Sequence, residues 1–517
     1  MRARLVFLFL LVSFVAAAQE KADNKIKLVL SINIDQLRSD FLYEFEGLYS
    51  QKGFKRLMSD GRVYSNAYYA YEHIDRASAT ATLMSGTYPY VSGIVAEQWL
   101  DRSSLRLVSC TDDSRYKGLY TNKTVSPVRL KALTLPDEMK RATRSKAQVC
   151  AIAPDCDVAV MAGGHAADVV LWKNDDTGLW CSSSYYGQFP SWAAEFNKEK
   201  GGKGASWQPF FPTEIYENFG EKAPKAFSYS FNGTNDVRLY KTSACINSEV
   251  NEMAIACLRA GNMGLDDIPD FLSVTYYAGN YKSQPMENRP IEVQDIYTRL
   301  DLNLAALLDE IDSRIGLENV LISLASTGYV IEGDSEEDED EYRLPSGYVH
   351  LDRISALLNV YLGAIFGKGQ YVEGYHNQQL YMNRRLIETM QLDKLDVISH
   401  AVEFLKSVEG VEDVFTIYRL GGLLSPEMQY VKNGYNANCS GDVWLRLMPG
   451  WKMAKDAASA SNLVRRSSVF FPMIIWGAGV DGALVETMTS ANIMAPELAR
   501  LLRIRRPNDN CLRMFNQ

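Results

Sequence analysis

Histidine is scarce, with five in 517 residues at His73, His165, His350, His376 and His400. A site built from several imidazoles would have to gather them from distant parts of the chain. The eight cysteines (Cys110, Cys150, Cys156, Cys181, Cys245, Cys257, Cys439 and Cys511) include no C-x-x-C pair, so a zinc ribbon has no support. Basic charge is in deficit. The formal net charge of -9 argues against a nucleic-acid binder, whose phosphate contacts call for a basic surface. Beyond the first twenty residues no stretch reaches the roughly 20 apolar residues of a membrane span, and no internal repeat is visible.

Apolar and aromatic residues are plentiful. At 47% hydrophobic, with 8 Trp, 29 Tyr and 20 Phe, the chain can bury a large core, as several domains or as one α/β domain with insertions. The start, MRARLVFLFLLVSFVAAAQE, has a basic n-region, an apolar run from Leu5 to Val15 and an A-x-A site at Ala16 to Ala18. It reads as a signal peptide over residues 1–18. The mature protein is then exported, to the periplasm or the periplasmic face of the outer membrane, with no transmembrane segment left. Export makes the cysteines candidates for disulfides.

Continuous apolar strands are expected at Leu28 to Ile34, Ala147 to Ala153, Asp270 to Tyr277, Asn319 to Ser326 and Phe470 to Gly477, each reading as a buried parallel strand. Amphipathic helices such as Ile291 to Asp312 lie between them. The alternation predicts an α/β fold, a mostly parallel sheet with helices on both faces. Residues 342–449 read differently. QQLYMNRRLI, LDKLDVISHAVEFLKSV and VEDVFTIYRL spell strand, helix, strand, an inserted small α+β cap between core segments 19–341 and 450–517. The acidic run Asp334 to Glu341 reads as a solvated loop without the Gly spacing of an EF-hand.

Six stretches in order, NIDQLRSDFL, GFKRLMSDGRVYSNAYYAY, LMSGTYPYVSGIVAEQWLDR, AGGHAADVVLW, IEVQDIYTRLDLNLAALLDEID and NQQLYMNRRLI, resemble the alkaline phosphatase superfamily, in its exported bacterial branch of nucleotide pyrophosphatase/phosphodiesterase type. The resemblance implies a sheet of that kind, two zinc ions, and a Thr or Ser that attacks phosphorus. Two close metals clamp the attacking and leaving oxygens of an in-line displacement. Carried over position by position, only Asp35 matches a zinc ligand. Arg76 stands at the nucleophile position, although a shift of register would nominate Ser78 or Thr80. Asn280, Gln284, Thr327, Gly328 and Phe470 occupy the other ligand positions, and amides lack the charge or basic imidazole that zinc selects. Asp155 and Asp157 replace a cationic phosphate clamp, where two carboxylates repel a phosphate dianion. Gln98 replaces an Asn of the facing wall.

These substitutions predict a pseudoenzyme with an alkaline phosphatase fold, without catalytic residues or a metal cofactor. It would act as a binding or scaffold subunit with a protein partner in the cell envelope. A glycan is a further candidate ligand for the amide-rich cleft. The alternative is a metal-dependent phosphomonoesterase or phosphodiesterase whose ligands come from elsewhere in the chain. An isolated buried carboxylate is costly, so Asp35 is expected to pair with Arg76.

Overall fold

The computed structural model describes residues 25–201, 203–217, 225–283, 289–332, 347–421, 425–454 and 465–509. The expected signal peptide, the acidic run, Gln284 and Cys511 lie outside these residues. The main sheet is built on β1 (Leu28–Asp35), β2 (Arg62–Tyr68), β3 (Val149–Ala153), β4 (Val169–Lys173), β5 (Asp270–Tyr277), β6 (Val320–Ser326) and β7 (Phe471–Gly477). Its order is β2, β7, β6, β1, β5, β3, β4, with short strands added at both edges. The run β6, β1, β5, β3, β4 is parallel throughout.

All eight residues of β1 and of β5 are buried, which is why both read as unbroken apolar runs. Within β1 the faces alternate. Leu30, Ile32 and Ile34 join a core with Met253, Leu258, Leu300 and Leu304, each such side chain contributing about 1.5–3 kcal/mol by leaving water. Val29 packs into a second core, on the opposite face, with Leu83, Met139 and Leu498. Helices therefore cover both faces: α1 (Arg76–Ser85) and α2 (Cys156–Gly163) on the second face, and α3 (Ala244–Gly261) and α4 (Ile291–Ile315) on the first.

One direction differs from expectation. β7 runs antiparallel to both β6 and β2. Its apolar run reports burial on both faces, which is independent of chain direction.

Between β6 and β7 a separate antiparallel sheet forms, in the order Val372–His376, Gln379–Met382, Val443–Leu447, Val411–Thr416. Helices Leu351–Phe366 and Lys394–Lys406 cover it over a core of their own that includes Leu358, Leu362, Val397, Leu405, Val414 and Leu445. The parallel pair Gly347–His350 and Trp451–Ala454 closes its base, so the element extends a few residues past the expected position 449.

The seven described cysteines are free. No disulfide joins these seven, although the buried thiols of Cys150 and Cys257 are hydrogen-bonding neighbours in the core.

Candidate functional site

Parallel strands bring their carboxyl ends to one edge, where α/β sheets place functional groups. Register puts Ile34 beside both Tyr276 and Ser326, and Asp35 beside Tyr277. Thr327, the first residue past β6, and Asn280, the third past β5, are buried with Asp35, and Asp155 lies two residues past the end of β3.

Asp35 is 7% exposed. Thr327 donates its hydroxyl to Asp35 Oδ1 at 2.8 Å and accepts the backbone N–H of Gln36 at 2.9 Å. Burial pushes the Asp35 carboxyl above its usual range, the Arg76 charge and the Thr327 hydrogen bond oppose this, and the negative Asp155 adds to it.

Helix α1 begins at Arg76. Asp75 caps it, accepting the N–H of Ser78 at 2.9 Å while the Ser78 hydroxyl returns to the Asp75 backbone, a capping box that fixes the helix start. Ser78 and Thr80 are fully buried. Thr80 donates to the Arg76 carbonyl at 2.7 Å, so both hydroxyls are engaged within the helix start.

The Arg76 side chain, 29% exposed, gathers three carboxylates. Its Nε lies 2.9 Å from Asp157 Oδ2 and 3.4 Å from Glu97 Oε1, and Nη1 lies 3.1 Å from Asp155 Oδ2. Asp155 also meets Lys241 Nζ at 2.6 Å, Lys241 meets Asp175 at 2.6 Å, and Asp175 meets Lys123 at 3.1 Å. Against its burial, the charges of Arg76 and Lys241 hold the Asp155 carboxyl well below the usual carboxylate range.

The expected Asp35–Arg76 ion pair is not formed. Three carboxylates outcompete one for the guanidinium, and Asp35 keeps the Thr327 hydroxyl, with Arg76 acting on it through space. Gln98 departs from expectation too. It is exposed, at the start of the strand Gln98–Asp101, and its neighbour Glu97 turns to the site. Lys241, Lys123 and Asp175 were also invisible in the sequence. Only Glu97 carried a signal, being offset from Gln98 by the one residue that reverses side-chain direction in extended chain.

The remaining described family positions offer no carboxylate or imidazole. Gly328 has φ +69°, and a Cβ there would sit 2.6 Å from the Tyr69 ring, so a ligating side chain cannot be accommodated without movement. Phe470 is 47% exposed and meets Tyr68 edge-on. Asn280 presents an amide, and the Thr327 hydroxyl is spent on Asp35. The histidines lie elsewhere: His165 between Asp137 and the Leu130 carbonyl, His400 on a cap helix, His73 against Trp444. Among the described residues no three His, Cys, Asp or Glu are grouped to hold a metal.

The arrangement is an ion-pair network in which Glu97, Asp155, Asp157 and Asp175 outnumber Arg76, Lys241 and Lys123. A phosphate entering it would have to displace carboxylates already paired with the cations.

The sequence profile described as "Type I phosphodiesterase / nucleotide pyrophosphatase" matches residues 29–468. A protein of Myroides odoratus named calcium-transporting ATPase is 28% identical over 96% of this chain and 95% of its own length. Alkaline phosphatase PafA of Elizabethkingia meningoseptica is 26% identical over 96% of each chain. The crystal structure of PafA superposes with a TM-score of 0.78 at 24% identity, covering 94% of this chain and 97% of that one. These relatives overturn the expectation that no cofactor goes with the chain: it matches alkaline phosphatases, which are metal-dependent enzymes, over 96% of its length. With the profile spanning most of its length and its sheet superposing on an alkaline phosphatase, the chain belongs to the type I phosphodiesterase / nucleotide pyrophosphatase family.

Proposed function

We propose that the chain is a non-catalytic member of this family, exported to the cell envelope, where it serves as a binding or scaffold subunit for a protein partner. The observation that carries this reading is Arg76, which stands at the nucleophile position with its guanidinium bound to Asp155 and Asp157, the two positions of the phosphate clamp. A solved variant of PafA is altered at a Thr, an Asn, a Lys and an Arg; the Thr and Asn are as far apart as Arg76 and Glu97 here, and the Lys and Arg as far apart as Asp155 and Asp157. An attacking oxygen is replaced by a cation, and a cationic clamp by carboxylates. The family's nucleophile and both clamp charges are absent together.

The same edge suits a hydroxyl-bearing ligand such as a glycan better than a phosphate ester. Asn280 and Asp35 offer hydrogen-bonding groups, and Phe470 with Tyr68 forms an aromatic margin.

The test is turnover of p-nitrophenyl phosphate and bis(p-nitrophenyl) phosphate by the mature chain with zinc supplied in excess. The expected outcome is no turnover above zinc in buffer. Turnover that disappears in Asp35→Ala would overturn the reading in favour of a metal-dependent phosphomonoesterase or phosphodiesterase. A stoichiometric envelope protein recovered with the tagged chain is the expected result of a pull-down.

A further inference from the structure

The amino-terminal edge of the parallel strands lies at the opposite end of the sheet from Asp35 and Arg76. Two segments reach it. One is the loop from Thr143 into β3, and the other is the turn that follows the helix Met494–Leu501. Met139, Val149 and Leu498 share one apolar cluster, with Ile504 packed against it, and this holds the two segments on the same part of the surface.

Both segments are basic. Arg141 pairs with Glu138, and Arg500 with Glu497. Arg144, Lys146, Arg503, Arg505 and Arg506 are exposed, and no ion pair engages their side chains among the described residues. Arg144, Ser145 and Arg503 adopt left-handed backbone, at φ of 54°, 62° and 55°, a conformation uncommon outside glycine and a sign of tightly turned loops. No helix among the described residues is long and apolar enough to cross a membrane.

A set of unneutralised cations repels itself and adds nothing to folding, and the rest of the chain is acidic enough to reach a net charge of -9. Clusters of roughly four to eight Lys and Arg are drawn to anionic lipid surfaces. The screening length of about 8–10 Å confines that attraction to the nearest charges. We infer that this edge docks on a membrane surface of anionic phospholipid and turns the Asp35–Arg76 site away from the bilayer. The exposed Asp266, Asp267 and Glu318 lie ahead of β5 and β6 on the same edge, so the lipid contact is confined to its β3 side, whereas a polynucleotide long enough to extend past that side meets these acids.

The test uses the full mature chain and two sets of vesicles, phosphatidylcholine alone and phosphatidylcholine with phosphatidylglycerol. Sedimentation with the second set only, reversed by high salt, is expected. Removing charge in Arg503→Gln/Arg505→Gln/Arg506→Gln lowers the partition coefficient by about a hundredfold, roughly fivefold for each cation, with circular dichroism showing the fold intact. A second variant, Arg144→Gln/Lys146→Gln, weakens binding through the other segment. Equal binding to both vesicle sets, no binding to either, binding unchanged in both variants, or retention on duplex DNA without vesicle binding would each overturn the inference.

Discussion

Trp444 donates its indole N–H to Nε2 of His73 at 2.6 Å, and the two rings stack with centroids 4.7 Å apart. An indole only donates, so that imidazole nitrogen carries a lone pair. Trp444 belongs to the inserted sheet, and His73 lies three residues before Arg76. The insertion therefore grips the loop that leads into the site. Arg446, two residues on, binds Glu72 and Glu427, and Asn433 donates to the Ala70 carbonyl at 2.7 Å.

Removing the acceptor should loosen this grip. In His73→Phe the buried side of the Trp444 indole keeps a stacking partner but its N–H loses its acceptor, and a loss of about 1–3 kcal/mol in urea unfolding is expected. An unchanged midpoint would show that the hydrogen bond adds nothing to the stack.

Asp442 is 1% exposed and binds Arg102 of the core at 2.9 Å and Arg384 of the insertion at 2.7 Å. Asp442→Asn leaves two guanidinium groups short of a counter-charge. A loss of about 3 kcal/mol in urea unfolding is expected, along with faster proteolysis between residues 342 and 449. An unchanged midpoint would show that neither arginine depends on this carboxylate.

Arg76→Ala strands Asp155, Asp157 and Glu97 without their common cation. Because the pair is part-exposed, a loss of about 1–2 kcal/mol is expected. Adding Asp157→Ala to that variant should recover part of the loss, which a double-mutant cycle reads directly. Additive losses would mean that the two side chains are not coupled.

His165 bonds Asp137 at 2.9 Å. Burial opposes both shifts, yet their mutual contact raises the imidazole above its ordinary value and lowers the Asp137 carboxyl. A raised imidazole contributes stability that is complete below its unfolded value and disappears as pH rises through the folded one. The lowered carboxyl contributes above its unfolded value and is lost as pH falls through its folded one. His165→Gln should therefore cost more melting temperature at about pH 5 than at about pH 8.5, on either side of the ordinary imidazole value of about 6.5. Equal losses at both would place the effect in packing alone.

Element types and the chemistry of the site positions are legible in the chain. β1 and β5 were legible because strands buried on both faces are written as local apolar runs, and the reversal of charge at Arg76, Asp155 and Asp157 is a matter of residue identity. Tertiary structure alone decided which carboxylates Arg76 binds, that Glu97 and not Gln98 faces it, that Lys241 and Asp175 extend the network, and that β7 runs antiparallel. Periodicity is local and survives in the chain as a pattern. The partner of a charged side chain is set by the reach and competition of groups from segments far apart in sequence, and only the folded sheet brings those together.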